Sequence, residues 1–212
     1  MKPKKLFILL LLVACGCSHN PEDTIILLGP ESYFKTVNTL ASNYLLQDSL
    51  AVMMPFMNLS PEGDLPPDIE GEYKISEKQF VHSNFHDLDN HHLDMYQKVE
   101  HQHNRIAKVS LCEGNTVSTD TAYITGQDPY FSLYFEELKE MEFQGMVHEH
   151  HRLVLITGKK TARGIENLHF GSLILDAGEG GDPLVGGYLP GWFFVYQDKD
   201  GLSESCEWFE NQ

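Results

Sequence analysis

The spacing of apolar residues divides the chain into three stretches. Residues 6–14 form an uninterrupted apolar run, and apolar residues then recur at helical spacing between residues 32 and 54. From residue 71 onward the period falls to two, as in residues 130–136, where Phe131, Leu133 and Phe135 alternate with more polar neighbours. This order predicts a short hydrophobic leader, a helical segment and then a β-rich domain.

The helical segment is predicted from an apolar stripe that ends at a proline. Ser32 is a candidate N-terminal cap, and Pro55 stops the pattern. The stripe consists of Tyr33, Val37, Leu40, Tyr44, Leu45, Leu50, Met53 and Met54. We expect one helix, or two helices with a break at residues 47–49, across residues 32–54, and we expect the stripe to pack on the β-rich domain.

The β-rich domain is predicted to hold ten strands joined by close turns. They are expected at residues 71–75, 78–85, 93–100, 105–112, 117–125, 129–136, 141–148, 150–158, 165–176 and 191–198. Turns are expected at residues 126–129 and 159–164, and residues 178–191, with six glycines and two prolines, form a long loop before the last strand. This pattern predicts a mainly β fold, an antiparallel barrel preceded by a short N-terminal helical segment, because closure removes exposed strand edges.

The leader has the features of a bacterial export signal. Lys2, Lys4 and Lys5 form a positive start, and the apolar run is far shorter than the roughly 20 residues that span a bilayer. It ends in Leu-Val-Ala-Cys at residues 12–15, which resembles the lipobox of bacterial lipoproteins. The resemblance implies cleavage after residue 14 and a lipid on Cys15, with Cys17 as the weaker alternative.

These stretches give the domain organisation and a location. We expect a signal peptide at residues 1–14, a tether at 15–30, a helical segment at 31–57, a proline-rich linker at 58–68 and the β-barrel domain at 69–212. The residue after Cys15 is a glycine rather than an aspartate. This favours the outer membrane, on its periplasmic face or at the cell surface.

The charge of the chain limits its partners. Fifteen basic and 31 acidic residues give a net charge of −16. Loss of residues 1–14 removes three lysines, which leaves 12 basic against 31 acidic residues and a charge of −19. Such a surface repels phosphate backbones and offers no basic patch to anionic lipids. We therefore expect no nucleic-acid partner, and membrane attachment through the lipid anchor alone.

Four short motifs, together with the leader, are similar to uncharacterised lipoproteins of Bacteroidetes bacteria. The motifs are ESYFKT at residues 31–36, PPDIEGEY at 66–73, GKKT at 158–161 and DKDGL at 198–202. The resemblance implies a lipocalin-like barrel without an established activity. Gly71-Glu72-Tyr73 stands where lipocalins open their first strand with Gly-x-Trp, although Tyr73 replaces the tryptophan and no arginine follows Arg163 to stack on its ring.

The same resemblance bears on covalent modification. Bacteria of this group attach O-linked glycans to exported proteins at triplets of aspartate, serine or threonine, and an apolar residue. The triplets that begin at Asp23, Asp48 and Asp120 match this pattern. Thr24, Ser49 and Thr121 are therefore candidate glycosylation sites.

Histidine is the one compositional outlier, with 11 residues, nine of which lie in clusters between residues 82 and 151. Alternate strand residues face one side of a sheet, so His101 with His103 and His148 with His150 could each present two imidazoles to one face. If their strands were neighbours, the four histidines could bind Zn²⁺ or a similar metal. The simpler explanation is that these histidines are exposed polar residues on solvated strand faces and loops.

Two cysteines and two aromatic residues complete the candidate sites. Cys112 and Cys206 could form a disulfide in an oxidising compartment, or remain as two free thiols. Tyr188 and Trp192 flank the glycine-rich loop and are candidates for lining a barrel mouth. Core packing is the alternative role for such aromatic residues.

No catalytic motif is evident in the sequence. Gly-x-Ser-x-Gly, a P-loop and a dinucleotide-binding glycine pattern are all absent. We therefore expect a binding module rather than an enzyme, with no cofactor and with an unknown small molecule or glycan as ligand. The alternatives are a filled barrel that acts as a structural or interaction protein of the envelope, and a histidine-rich metal protein or metal-dependent enzyme.

Overall fold

The computed structural model describes residues 46–60, 63–85, 94–114, 116–143, 146–176 and 189–209, without the side chains of residues 139–150. Helix α1 spans Gln47–Met53 and continues into a 3-10 turn, Met54–Phe56. The strands are β1 Asp64–Leu65, β2 Gly71–Ile75, β3 Lys78–Ser83, β4 Met95–His103, β5 Ile106–Glu113, β6 Thr116–Gln127, β7 Tyr130–Phe143, β8 Met146–Thr161, β9 Gly164–Asp176, β10 Phe193–Asp198 and β11 Leu202–Ser205. Within these residues no helix is both long and apolar enough to cross a membrane.

The strands close into an eight-stranded antiparallel β-barrel. Strands β2, β4, β5, β6, β7, β8 and β9 are hydrogen-bonded in that order, and β11 pairs with both β9 and β2. Strand β10 pairs with both β9 and β3, just as β11 pairs with both β9 and β2. Strands β2 and β3 therefore form the two halves of one barrel strand, and β10 and β11 form the two halves of another. The prediction of a mainly β, lipocalin-like antiparallel barrel after a short helix is confirmed.

The strand predictions were accurate where turns are marked by glycine or proline. Strand β2 has the predicted bounds, and the turns after β6 and β8 lie where expected. The predicted strands 129–136, 141–148 and 150–158 are instead the two long strands β7 and β8. The break between them falls inside the predicted strand 141–148, where glycine is the only turn residue.

Side chains on the two faces of the barrel wall form two separate cores. The inner core fills much of the barrel interior, which we call the lumen; it includes Tyr73, Val99, Val109, Ile124, Leu133, Val154, Ile156 and Phe170. The outer core lies under α1 and includes Leu50, Met53, Met57, Tyr123, Tyr134, Leu153, Leu155, Phe193 and Val195. Leu153 and Leu155 alternate with Val154 and Ile156 because successive strand residues face opposite sides. Both faces of β8 are therefore apolar.

Residues 46–60 and 63–65 lie on the outside of the barrel, at positions that pass from one end to the other. Leu46 and Ser49 lie beside Gly191, just before β10. Met57 then packs on Gly171, and its carbonyl accepts a hydrogen bond from the Thr157 hydroxyl over 2.5 Å. Strand β1 finally pairs with the end of β6 in parallel. The predicted packing of the helical apolar stripe on the barrel is confirmed for Leu50 and Met53, which are fully buried there.

The two ends of the barrel differ in chemistry. At one end β5 is followed by β6, β7 by β8 and β9 by β10; we call it the polar end. At the other end β4 is followed by β5 and β6 by β7; we call it the Tyr73 end, after the ring that fills it.

Candidate functional site

The Tyr73 end is closed by packed and hydrogen-bonded side chains. Ile69 is fully buried in the inner core, and its carbonyl accepts a hydrogen bond from the Tyr73 hydroxyl over 2.9 Å. The Gln102 amide ties the segment before β2 to β4, because it accepts from the Ile69 N–H over 2.9 Å and donates to the Pro67 carbonyl over 2.9 Å. The segment before β2 and the Tyr73 ring therefore close this end of the barrel.

A cation lies on the ring that fills this closed end. The Lys160 ammonium is 4.7 Å from the centroid of the Tyr73 ring and donates to its hydroxyl. Burial, with a smaller contribution from the Asp68 carboxylate, raises the pKa of Tyr73, and burial lowers the pKa of Lys160. The ring that fills the closed end is thus stacked with a lysine from β8.

Among the side chains that the structure describes, five charged ones face the lumen towards the polar end, and we call them the polar layer. They are Lys78, Glu113, Asp120, Glu137 and Arg152. Arg152 donates to Glu137 and, over 2.8 Å, to Glu113. Lys78 lies 3.6 Å from the other oxygen of Glu113, and the Ser118 hydroxyl donates to Glu137. The layer therefore links β3, β5, β6, β7 and β8 across the lumen.

The charges of the polar layer do not balance. Glu113 and Glu137 are paired with the two cations, whereas Asp120 makes no hydrogen bond or ion pair with the described residues. Burial, and then the nearby Glu137 carboxylate, raise the pKa of Asp120 to about 6, against a smaller opposite effect of Arg152. The carboxylates hold the pKa of Arg152 above its usual value although burial alone would lower it. Two cations thus face three carboxylates.

Aromatic rings line the wall opposite the carboxylates. Glu113, Asp120 and Glu137 lie on the neighbouring strands β5, β6 and β7, whereas β3, β9 and β10 lie across the barrel. Those strands place Phe80, Phe170, Phe194 and Tyr196 in the inner core. Lys78 lies 5.4 Å from the centre of the Tyr196 ring and Arg152 lies 5.8 Å from that of Phe170. The lumen therefore has one acidic wall and one aromatic wall.

The aromatic wall continues to the rim of the polar end. Phe85, just beyond β3, stacks on Trp192, just before β10, with ring centroids 4.5 Å apart. Asn84 fixes this arrangement, because its amide donates to the Gly191 carbonyl over 2.8 Å and accepts from the Phe193 N–H over 2.9 Å. Trp192 is half-buried.

Solvent reaches the lumen at the level of the polar layer. On β5 the lumen-facing Ala107, Val109 and Leu111 are each 1% exposed, whereas the Glu113 side chain is 17% exposed. On β6 Ile124 and Ala122 are completely buried, whereas Asp120 and Ser118 are half-buried. The apolar lower lumen is filled with side chains, and solvent exposure of lumen-facing side chains begins at Glu113 and Asp120.

Two buried polar side chains in the lumen have no hydrogen-bond partner within the described part of the chain. Both amide atoms of Gln97 and the hydroxyl of Ser172 are unpaired, and both residues are 0% exposed. Gln97 faces the lumen with Met95 and Val99, and Ser172 pairs with Val154 and Phe194 across the ladder. A buried polar group without a partner costs about 1–3 kcal/mol. Such groups are candidates for hydrogen bonding to a ligand.

The predicted ligand residues are only partly described. Trp192 lies at the rim of the polar end, where the sequence analysis expected a barrel mouth. Tyr188 lies outside the described residues.

The four candidate metal-binding histidines are not brought together. His101 and His103 end β4 at the Tyr73 end, and the backbones of His148 and His150 lie in β8 near the polar end, paired with Met141 and Lys139. Strands β4 and β8 are not neighbours, as β4 pairs with β2 and β5. In addition, a bulge disrupts the alternation at His101, which has a φ of 55°. Among the described residues no group of three or more His, Cys, Asp or Glu could hold a metal ion.

The structure does not join the candidate disulfide residues Cys112 and Cys206. Cys112 lies on β5 and donates to the Gly114 carbonyl over 3.4 Å, whereas Cys206 follows β11 and bonds to the Glu72 carbonyl through its N–H. Strands β4 and β2 lie between these positions, and neighbouring strands are about 4.8 Å apart. A disulfide bridges Cα atoms that are at most about 7 Å apart.

The remaining candidate modification sites lie on the outside of the barrel or beyond the described residues. Ser49 is half-buried in α1 beside Gly191. Thr121 is half-buried on the outer face of β6, opposite Lys108. Thr24 and the candidate lipidated residue Cys15 lie outside the described residues, as do the signal peptide and the tether.

Sequence reasoning missed the polar layer. Its signal was present, since Glu137 and Arg152 occupy positions in apolar strands whose alternate neighbours, such as Phe135 and Val154, are core residues. A charge at an inward position of an apolar strand predicts a paired, buried charge. Its partners could not be identified without the strand register.

Comparison with known proteins does not assign the chain to a family. The chain matches no protein-family model, no curated protein and no solved structure.

Proposed function

We propose that this protein is a lipid-anchored protein of the bacterial cell envelope whose barrel binds a small, partly apolar ligand at the polar end. The observation that carries the ligand-binding part is the change in exposure along β5 and β6. Lumen-facing side chains pass from 1% exposed or less at Leu111 and Ala122 to partly exposed at Glu113 and Asp120. Binding sites of this kind combine an apolar surface with a few well-placed polar groups.

The two walls of the lumen support the same proposal. A flat apolar ligand can contact the aromatic side, from Trp192 and Phe85 at the rim to Phe194 below them. Its polar groups can reach the partly exposed carboxylates on the opposite side. The closed Tyr73 end makes the polar end the route of entry.

Fluorescence of N-phenyl-1-naphthylamine, an apolar dye that brightens in an apolar site, tests ligand binding by the purified full chain. We expect saturable brightening that weakens several-fold in Trp192→Ala, because the dye loses a stacking partner. Tyr130→Ala is the matched control, since Tyr130 is 45% exposed at the Tyr73 end. Absence of saturable brightening, or loss in Tyr130→Ala but not in Trp192→Ala, would refute the proposal.

Lipid anchoring is tested separately by metabolic labelling with palmitate in bacteria that express the full chain. We expect label and membrane association in the unaltered protein and in Cys17→Ser, and neither in Cys15→Ser. Two or three acyl chains give essentially permanent attachment. Unchanged labelling of Cys15→Ser would show that the anchor assignment is wrong.

A filled barrel that binds another envelope protein is the second candidate. The completely buried lower lumen favours it, as do Val117 and Leu138, which are 52% and 58% exposed on the outer faces of β6 and β7. It predicts that the dye does not bind in the lumen.

A further inference from the structure

We infer that the ligand of the polar end is an organic cation, a small molecule that carries an ammonium group on a flat apolar body. The inference rests on the proposed ligand-binding function and specifies the chemistry of the ligand. It is drawn from Asp120, from the aromatic wall and from the unpaired Ser172 and Gln97.

Asp120 is the group of the polar layer that is left for a ligand. The cations Lys78 and Arg152 are engaged by Glu113 and Glu137, and Asp120 has no hydrogen bond or ion pair within the described residues. It faces the lumen, is half-buried, and lies at the level where accessible space begins. An ammonium group beside Asp120 would bring the charge of the layer from one carboxylate in excess to balance.

Ser172 and Gln97 provide an independent indication of a polar ligand. Both are completely buried and face the same lumen, and neither has a partner in the described part of the protein. An ammonium group has three N–H donors and no acceptor. The hydroxyl oxygen of Ser172 and the amide oxygen of Gln97 are acceptors, so they suit the N–H groups that do not point at a carboxylate.

The wall across from Asp120 suits the rest of an organic cation. Phe194, Trp192 and Phe85 offer ring faces, and these attract cations as well as apolar surfaces. The protein's own cations already use this wall in the same way, since Lys78 lies over Tyr196 and Arg152 over Phe170. An anionic ligand fits less well, because the two cations of the polar layer are paired with Glu113 and Glu137 and its three carboxylates would repel it.

Three probes of nearly the same shape separate charge from shape: 2-phenylethylammonium, 2-phenylethanol and phenylacetate. Calorimetric titration of the full chain at pH 7.5 is expected to give an affinity for the ammonium compound at least about 10-fold above that for the alcohol. Phenylacetate is expected to show no binding at concentrations that saturate the site with the ammonium compound. Equal affinity for all three, or a preference for phenylacetate, would overturn the inference.

Asp120→Asn tests the residue itself. We expect it to lower the affinity for 2-phenylethylammonium by about 10-fold and to leave the affinity for 2-phenylethanol unchanged, since an amide keeps the shape but not the charge. Asp128→Asn is the control, because Asp128 is exposed in the turn at the Tyr73 end. A thermal unfolding curve for each variant verifies folding. If Asp120→Asn leaves the preference for the ammonium compound intact, the assignment of Asp120 is wrong.

The outcomes distinguish this inference from the proposed function. If the naphthylamine dye binds at Trp192 but the ammonium compound has no advantage over the alcohol, ligand binding stands and the organic cation is rejected. If neither the dye nor any of the three probes binds, both are rejected. Tighter binding of the ammonium compound that depends on Asp120 supports both.

Discussion

Arg152 on β8 donates a hydrogen bond to Glu113 on β5 over 2.8 Å, although β6 and β7 lie between these strands in the barrel wall. The guanidinium therefore crosses the lumen instead of pairing along the wall. This contact separates an apolar, filled lower lumen from the accessible space at the polar end.

Loss of Arg152 should be strongly destabilising. Arg152→Met leaves the buried Glu137 carboxylate without a cation and Glu113 with Lys78 alone, which we expect to cost about 3–5 kcal/mol of unfolding free energy. Urea denaturation measures the change. The double variant Arg152→Met/Glu137→Leu also removes the uncompensated Glu137 carboxylate, so it should recover part of the lost unfolding free energy. A single variant within 1 kcal/mol of the unaltered protein would contradict this account.

Replacement of Gln97 should stabilise the protein. Gln97→Met keeps the length of the side chain and removes two buried polar atoms without partners, so we expect an increase of about 1 kcal/mol in unfolding free energy. The same variant should bind 2-phenylethylammonium less tightly than the unaltered protein. Val99→Met on the same strand is the comparison, since it only enlarges a packed apolar side chain and should destabilise. A fall in stability in Gln97→Met would indicate an internal hydrogen bond or a bound water.

Helix α1 should depend on the glycine beneath it. A Cβ atom at Gly171 would lie 2.4 Å from the Met57 sulfur, so Gly171→Ala should displace Met57 and cost about 1–3 kcal/mol. In the background of Met57→Ala the added methyl enters the vacated space, and the cost of Gly171→Ala should shrink. Thermal unfolding of the two single variants and the double variant gives the coupling energy. Additive effects would mean that the two residues do not interact.

Asp120 should make stability fall as the pH rises. Its folded-state pKa is about 6, above the ordinary value of 3.8, so the folded state holds the proton more tightly than the unfolded state does. This contribution to stability is present below about pH 4 and is lost between pH 4 and 6. Asp120→Asn should therefore be more stable than the unaltered protein at pH 7, by about 1 kcal/mol after allowance for solvent screening. The difference should vanish near pH 4 in urea titrations, and a constant difference would exclude this origin.

The fold was more predictable than the site because the two depend on different information. Alternation along single strands, as at Phe131 and Leu133, indicates a wall with one apolar face without knowledge of the neighbours. Glycine and proline in residues 126–129 likewise indicate a hairpin from the local sequence alone. The barrel followed from these local signals.

The site depends on which strands meet, and this information is not local. Nothing in the sequence around Glu113 indicates that its partner is Arg152, 39 residues later. The same limitation explains why two candidate pairs from the sequence do not meet in the structure. Cys112 with Cys206, and His101 with His148, were grouped by residue type, whereas strand order separates both pairs. Trp192 was found because it flanks a glycine-rich loop, which is a local signal.

Residues 46–60 and 63–65, on the outside of the barrel, connect its two ends mechanically. Leu46 lies beside Gly191 at the polar end, and Leu65 pairs with Gln127 at the Tyr73 end. A force on the chain before Leu46 therefore acts on the rim of the opening.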